Sequence, residues 1–212
     1  FSSSCAIYGN NKGKIKEDFS FNPINTYGDT KLFCEKMIKK FCERYSTAAV
    51  SLRFFNIAGA DNEKNIGEHH DPETHIIPLI LKAGQNKSKF FLNGNDFDTF
   101  DGTAVRDYLH VVDLIEGILI AQKYLMETEN FKAFNLGTGR GTSIKEIIDF
   151  TFNMGLGPQI EVLDRRAGDP PSLIADHSFA KTELGWNPKY SFQDCMVHAH
   201  NYFLNDKTFY HS

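Results

Sequence analysis

The feature that most restricts this chain is the order of its apolar runs. Amphipathic stretches of helical period alternate with short runs dense in β-formers. A helix is expected from about Tyr27 to Tyr45, and a strand follows from Ala48 to Asn56, rich in Val50, Leu52, Phe54 and Phe55. Further strands are expected at Phe90–Leu92, Ala133–Leu136 and Gln159–Leu163. Helices are expected near His75–Lys82, at Val111–Met126, from Ser143 onward, at Ser178–Leu184 and at Ser191–Leu204. Ser143 with Glu146 is a capping-box pattern, and Gly185 stops the helix before it. Long polar or turn-rich stretches, Ala58–Thr74 and Gly94–Thr103, lie between. Such alternation implies an α/β architecture with a parallel sheet.

The first helix has more apolar surface than one partner needs. On a 3.6-residue wheel Tyr27, Lys31, Cys34, Ile38, Cys42 and Tyr45 share one face, and Phe33, Met37 and Phe41 form an adjoining stripe. The second stripe reads as a subunit contact, with core packing as the competing account. Composition narrows the function classes. A net charge of −4 over 212 residues argues against nonspecific nucleic-acid binding, so a polyanionic ligand needs a local cluster of arginines. No apolar run approaches the ~20 residues of a membrane span, and no stretch reads as a signal peptide. Cys5, Cys34, Cys42 and Cys195 form no Cys-x-x-Cys pair, and the two in the first helix read as buried free thiols, which suits a reducing cytoplasm. The chain opens without methionine at Phe1-Ser2-Ser3-Ser4, like the end of a strand, and is expected to be a piece whose N-terminal part lies upstream.

Several residues carry chemistry by type and spacing. Tyr27 and Lys31 stand four apart, so both project from one side of the helix, and an ammonium beside a phenol favours the phenolate. Ser4 ends the first strand, where open α/β sheets bind ligands. Gly137-Thr-Gly-Arg-Gly141 follows a strand and precedes a capped helix, with Glu161 or Asp164 about 20 residues on, as a dinucleotide fingerprint asks. Its spacing is one residue short, however, and a strand-to-helix crossover between two lobes is the better account. Asp107, His110 and Asp113 read as caps and buried hydrogen bonds at a helix start.

Ser2-Ser3-Ser4-Cys5-Ala6-Ile7-Tyr8-Gly9, Asn25-Thr-Tyr-Gly-Asp-Thr-Lys31, Leu52-Arg-Phe-Phe-Asn-Ile-Ala-Gly-Ala60, the run from Gly94 to Asp113, Phe134–Ser143, Arg165–Asp169 and the stretch from Asp176 through Leu184-Gly-Trp-Asn-Pro188 together resemble the extended short-chain dehydrogenase/reductase family, and within it the UDP-glucose 4-epimerase branch. The resemblance implies part of a Rossmann-like doubly wound parallel sheet (residues 1–57 and 107–137) plus a smaller α/β nucleotide-sugar-binding domain (residues 58–106 and 138–212). It implies NAD as cofactor and UDP-glucose and UDP-galactose as substrates, interconverted by transient oxidation at the sugar C4. Tyr27 would be the acid/base at the 4-hydroxyl. Lys31 would support it and hold the nicotinamide ribose, and Ser4 would bond the reacting oxygen. Phe54 would pack near the nicotinamide, Asn56 would contact the substrate phosphates, Arg106 and Arg166 would pair with the diphosphate, and Asp169 would bind ribose hydroxyls. His75, where the family often has asparagine, and Ile76 after it would belong to a substrate loop. Asn93 takes a commonly aromatic uridine-side position, and Leu173 would stand beside the sugar ring. The family's glycine-rich NAD loop would lie upstream of Phe1, so the 212 residues alone are expected to be inactive. A homodimer is expected, with no nucleic-acid or membrane partner.

His69-His70-Asp71-Pro72-Glu73-Thr74-His75 sets three imidazoles and two carboxylates within seven residues. Hydride and proton transfer need no metal and spacing gives no geometry, so this stretch reads as a solvated active-site loop with no metal. The rival readings are a dehydratase, decarboxylase or other epimerase acting on a nucleotide sugar, and a catalytically silent sugar-nucleotide-binding fragment. A 4,6-dehydratase would be expected to carry an Asp-Glu pair where Ser4 and Cys5 stand.

Overall fold

A computed structural model of the chain describes residues 1–11 and 13–205. Residues 206–212, the end of the second expected domain, lie outside the described residues. The chain starts with β1 (Ser2–Ser4), a single 3₁₀ turn (Cys5–Tyr8) and β2 (Lys14–Ile15), then enters α1 (Thr26–Tyr45). β3 (Ala49–Phe54), β4 (Asn56–Ala58), α2 (Ile76–Gln85), β5 (Lys89–Asn93), β6 (Val105–Arg106) and β7 (Tyr108–His110) follow. Then come α3 (Val111–Leu125), β8 (Phe131–Leu136), β9 (Thr142–Ser143), α4 (Ile144–Asn153), β10 (Gln159–Leu163), β11 (Ser172–Ala175), α5 (Ser178–Leu184) and α6 (Phe192–Asn205). The expected α/β class holds. Every strand pairing but β6 with β9 is parallel, in sheets ordered β1-β3-β8, β4-β7, β10-β5 and β2-β11-β6-β9. The single strand expected over Ala48–Asn56 breaks at Phe55, and β4 moves to β7, with Asn56 opposite Tyr108.

The helix ends follow their caps. Ser143 and Glu146 close the reciprocal box at the start of α4, and Ser191 with Asp194 makes the same pair of contacts ahead of α6. At α1 the Asn25 side chain accepts from Gly28 N–H at 2.8 Å. Glycine at position 28 lets α1 close on the 3₁₀ turn: a Cβ there would lie 2.5 Å from the Ala6 carbonyl oxygen.

The inward face of α1 is not the one its apolar period suggests. Gly28, Leu32, Glu35 and Cys42 are buried, whereas Tyr45 and Cys34 are exposed, which corrects the expectation of a buried Cys34. The reason is Glu35. Arg53 in β3 meets it with Nε at 3.1 Å and Nη2 at 2.8 Å, and Ser51 donates to it at 2.8 Å. Arg53 Nη1 also donates to Tyr8 Oη at 2.7 Å and the Glu17 carbonyl at 2.9 Å, while Tyr8 donates to Asn135 in β8 at 2.7 Å. A buried guanidinium demands a paired carboxylate, and that demand turns the helix. Phe33, Met37 and Phe41 are left facing outward.

The core falls into three clusters. One gathers α2, α4 and α6 against β5 (Ile80, Leu81, Phe90, Ile147, Met196, Phe203). A second surrounds β3, β8 and α3, and includes Ala180 of α5 and Trp186. The third lies under the 3₁₀ turn with Ile7, Tyr8, Ile15 and Leu173.

Burial pushes the Glu35 carboxyl up, but its bonds from Arg53 and Ser51 outweigh burial and hold it below the usual carboxylate value. That stabilisation is present above the unfolded value of ~4.3 and is lost as pH falls through the folded one. Glu35→Gln is expected to lower unfolding free energy at pH 7 by about 3–5 kcal/mol. In urea titrations the gap between the two proteins should narrow steadily below about pH 4. A pH-independent gap would show that ionised Glu35 is not the source.

Candidate functional site

A cleft of about 1150 Å³ opens beyond the ends of β1 and β3. Its size lies just above the roughly 300–1,000 Å³ usual for small-molecule sites. β1 delivers Ser4, whose Oγ accepts from Ala6 N–H at 3.2 Å and so caps the 3₁₀ turn. The first turn of α1 delivers Tyr27, which is 55% exposed and faces the cleft. Phe54 at the end of β3 and Asn56 at the start of β4 line it too, with Asn56 N–H held by the Asp107 carbonyl at 2.9 Å. His75 and Ile76 at the start of α2, and Asn93 at the end of β5, form another part of the wall.

Lys31 stands behind Tyr27 rather than in the cleft wall. Its Nζ lies 5.6 Å from the Tyr27 ring centroid and donates to the Ser2 carbonyl at 2.8 Å, so the ammonium ties the tyrosine to β1. Arg106, Arg166 and Asp169 complete the cleft. Arg106 is buried, donates to the Val105 carbonyl at 2.8 Å and pairs with Asp169, while Arg166 is exposed. Arg165 next to it turns away, bonds Asp96 at 2.6 Å and stacks over Phe97 at 4.5 Å. A cleft with a phenol, a hydroxyl and two guanidinium groups can bind an anion at one part and move a proton at another.

A family profile described as GDP-mannose 4,6 dehydratase matches residues 1–198. The chain belongs to that family. Its curated relatives include a UDP-glucose 4-epimerase of Lactobacillus helveticus, 44% identical over 93% of this chain and 61% of the relative. Another, of Rhizobium meliloti (strain 1021), is 42% identical over 95% of this chain and 62% of the relative. The chain therefore spans about three fifths of the length of these relatives. Among solved structures, UDP-glucose 4-epimerase from Brucella ovis in complex with NAD superposes with a TM-score of 0.88 at 43% identity, over 96% of this chain and 64% of that one. The Bifidobacterium longum enzyme in complex with NAD+ and UDP gives 0.92 at 31% identity, over 99% and 64%.

In this member of the family the glycine turn after β8 already holds an anion. Asp107 Oδ1 accepts from Thr138 N–H at 2.8 Å and Thr138 Oγ1 at 2.6 Å. Its Oδ2 accepts from Gly139 N–H at 2.8 Å and Ala175 N–H at 3.1 Å. The donors that a dinucleotide phosphate would need are used by the protein's own carboxylate, which supports reading this stretch as a crossover. His110 caps α3 through Val112 N–H at 3.1 Å, and its Nε2 lies 3.0 Å from His198 Nδ1. Burial, then the neighbouring His198, push its pKa down to about 4. Asp113 accepts from Lys189 and Tyr190 N–H at 3.0 Å each.

One expectation needs correction. Leu173 is not among the residues that line the cleft; its side chain is buried in the apolar cluster under the 3₁₀ turn, with Cys5, Ile7 and Phe55. Two further residues, Tyr108 and Glu68, line the cleft without having been expected there, and His70 lines it from the loop already read as part of the active site; Tyr108 is buried. Tyr108 sat in the quoted Arg-Asp-Tyr run, but only the β4–β7 register brings it opposite Asn56.

Asp107→Asn turns an amide toward N–H groups that need an acceptor. Stranding one or two buried donors should cost about 1–6 kcal/mol, read from the urea midpoint at constant m-value. A change under 1 kcal/mol would mean that the turn finds other partners.

Proposed function

We propose that this chain is the sugar-nucleotide-handling part of an NAD-dependent 4-epimerase that interconverts UDP-glucose and UDP-galactose in cytoplasmic galactose metabolism. The observation that carries the reading is the gathering of Tyr27, Ser4, Arg106 and Arg166 around one cleft. Arg106 and Arg166 pair with the diphosphate, Asn56 assists at the phosphates, and Asp169 binds ribose hydroxyls. Asn93, His75 and Ile76 flank the substrate. Tyr27 takes the proton from the sugar 4-hydroxyl and returns it, Ser4 bonds the same oxygen, and Lys31 steadies Tyr27. Such an acid/base contributes typically ~10²–10⁴-fold. The residues present fit the nicotinamide end of NAD: Phe54 lines the cleft, and Lys31 stands beside Tyr27. NAD, when bound, would supply the hydride-accepting and hydride-returning chemistry at the sugar C4.

The lobes are proposed to divide as residues 1–57 with 107–137 and 58–106 with 138–212. The packing of α5 and Trp186 against the β3–β8 cluster ties the second segment back onto the first. Among the described residues no helix is long and apolar enough to cross a membrane, and all four cysteines are free, as suits a reducing compartment. The exposed Phe33, Met37 and Phe41, in the row that the helical period creates, support a homodimer through α1 of two copies.

The test uses the 212-residue chain and a form extended to the length of the curated relatives. Calorimetry on the chain should show UDP binding, weakened about 10–150-fold by Arg106→Ala or Arg166→Ala, the loss of one charge-assisted bond. The extended form with NAD should convert UDP-galactose to UDP-glucose, and Tyr27→Phe should cut kcat by about 10²–10⁴ with UDP affinity unchanged. A 4-keto-6-deoxy product, or UDP binding without turnover in both forms, would overturn the reading. For the dimer, Met37→Glu should convert a two-chain species to a one-chain species in sedimentation velocity. A parent protein that is already monomeric at micromolar concentration refutes it.

A further inference from the structure

The loop between β4 and α2 brings together Glu68, His70, Glu73 and His75, of which only His75 has a part in the proposed substrate site. One ligand atom from each lies within 4.8 Å of all the others. His70 Nδ1 stands 3.1 Å from Glu68 Oε1 and 3.6 Å from Glu73 Oε2, and His75 Nδ1 contacts the same Glu68 oxygen. A tetrahedral ion with bonds of about 2.0–2.1 Å keeps its ligand atoms about 3.3 Å apart; the His70–Glu68 and His70–Glu73 spacings are close to that edge, and the tighter His75–Glu68 contact would open by a small side-chain rotation to admit the ion.

Imidazole–carboxylate hydrogen bonds explain Glu68 but leave Glu73 unexplained. Its side chain is only 10% exposed. Its Oε1 accepts from Thr74 N–H at 2.6 Å and His75 N–H at 2.7 Å, which fixes the plane of the carboxylate. Its Oε2 is buried, has no hydrogen-bond partner among the described residues and lies toward His70. A buried anionic oxygen without a donor calls for a cation or an ordered partner. The loop is anchored at both ends. Residue 67 must be glycine, since a Cβ there would lie 2.3 Å from the Tyr202 ring of α6, and His75 enters α2. Two imidazoles with two carboxylates suit Zn²⁺, whereas Mg²⁺ and Ca²⁺ favour oxygen alone.

We propose that Glu68, His70, Glu73 and His75 form a binding site for one divalent transition-metal ion, with Zn²⁺ the ion they suit best. Its consequence is mechanical: the ion clamps the 68–75 loop at the edge of the cleft and fixes the start of α2. The inference stands on the loop geometry and not on the epimerase reading.

The 212-residue chain, freed of metal by chelation and dialysis, is titrated with Zn²⁺ by calorimetry and with Co²⁺ by visible absorption. One ion per chain is expected, and the Co²⁺ form should show the intense visible bands of a four-coordinate site. Glu73→Gln and His70→Ala should each weaken binding by more than the roughly 10–100-fold typical of losing an outer-shell partner. His69→Ala, outside the set, should leave affinity unchanged, and circular dichroism checks that each variant is folded. Absence of saturable binding overturns the proposal, as does a weak octahedral Co²⁺ spectrum or equal affinity in the folded Glu73→Gln and His70→Ala variants. The Co²⁺ spectrum of the unaltered chain decides the matter even where a variant does not fold.

Discussion

Arg53 and Glu35 are a fully formed ion pair in the protein interior, with side chains 4% and 5% exposed. Neither charge tolerates burial without the other, so wherever β3 places Arg53, α1 must present Glu35. The guanidinium has five donors, and its remaining bonds reach Tyr8 and the Glu17 carbonyl. Through Tyr8 the network continues to Asn135 in β8, whose side chain donates to the Ile15 carbonyl at 2.8 Å. One buried cation therefore sets α1, the 3₁₀ turn, β2 and β8 relative to β3. Tyr27 and Ser4 carry no part of this network. They reach the same cleft because the elements that carry them are locked from behind, and Lys31, bonded to the Ser2 carbonyl, adds a strut between the two.

Asp107 does for the middle of the chain what Arg53 does for its start. Its carboxylate gathers N–H groups from the turn after β8 and from β11, two segments far apart in sequence. A turn built to cradle an anion thereby becomes a structural joint, and the residue that supplies the anion, Asp107, directly follows Arg106 at the end of β6. Folding the joint and placing the cleft arginine are the same event.

The class of the fold and most helix limits were legible because they depend on local signals. The Ser143–Glu146 box, the Gly185 stop and the β-former run at Ala49–Phe54 are decided within a few residues. The rotation of α1 was not legible. Its apolar period pointed to Cys34 and Tyr45, and only a partner 18 residues away makes charged Glu35 the buried choice. The break at Phe55 was hidden for a similar reason, since a continuous apolar run does not say which residues pair with β8 and which with β7. Leu173 was misplaced because position in a motif does not give the direction of a side chain in a two-sided strand. In the histidine-rich loop, spacing was visible but the inward turn of Glu73 was not, because it depends on bonds from its own following backbone.

The charge balance of the cleft follows from the same economy of buried groups. The chain is acidic overall, yet Arg106 is buried at the cleft and cannot wait there uncompensated. Asp169 neutralises it while remaining about one third exposed, so the pair is dry on the arginine side and wet on the aspartate side. In the proposed reading a diphosphate meets one guanidinium already oriented by its carboxylate and the Val105 carbonyl, and a second, Arg166, still free to close from solvent. The ordering cost of the first arginine is met in folding rather than in binding. Displacement of Asp169 also frees its oxygens for hydroxyl groups, which are neutral donors and do not repel it. In that proposed reading an anion with adjacent hydroxyls, as a nucleotide sugar carries, suits this pair better than a bare phosphate.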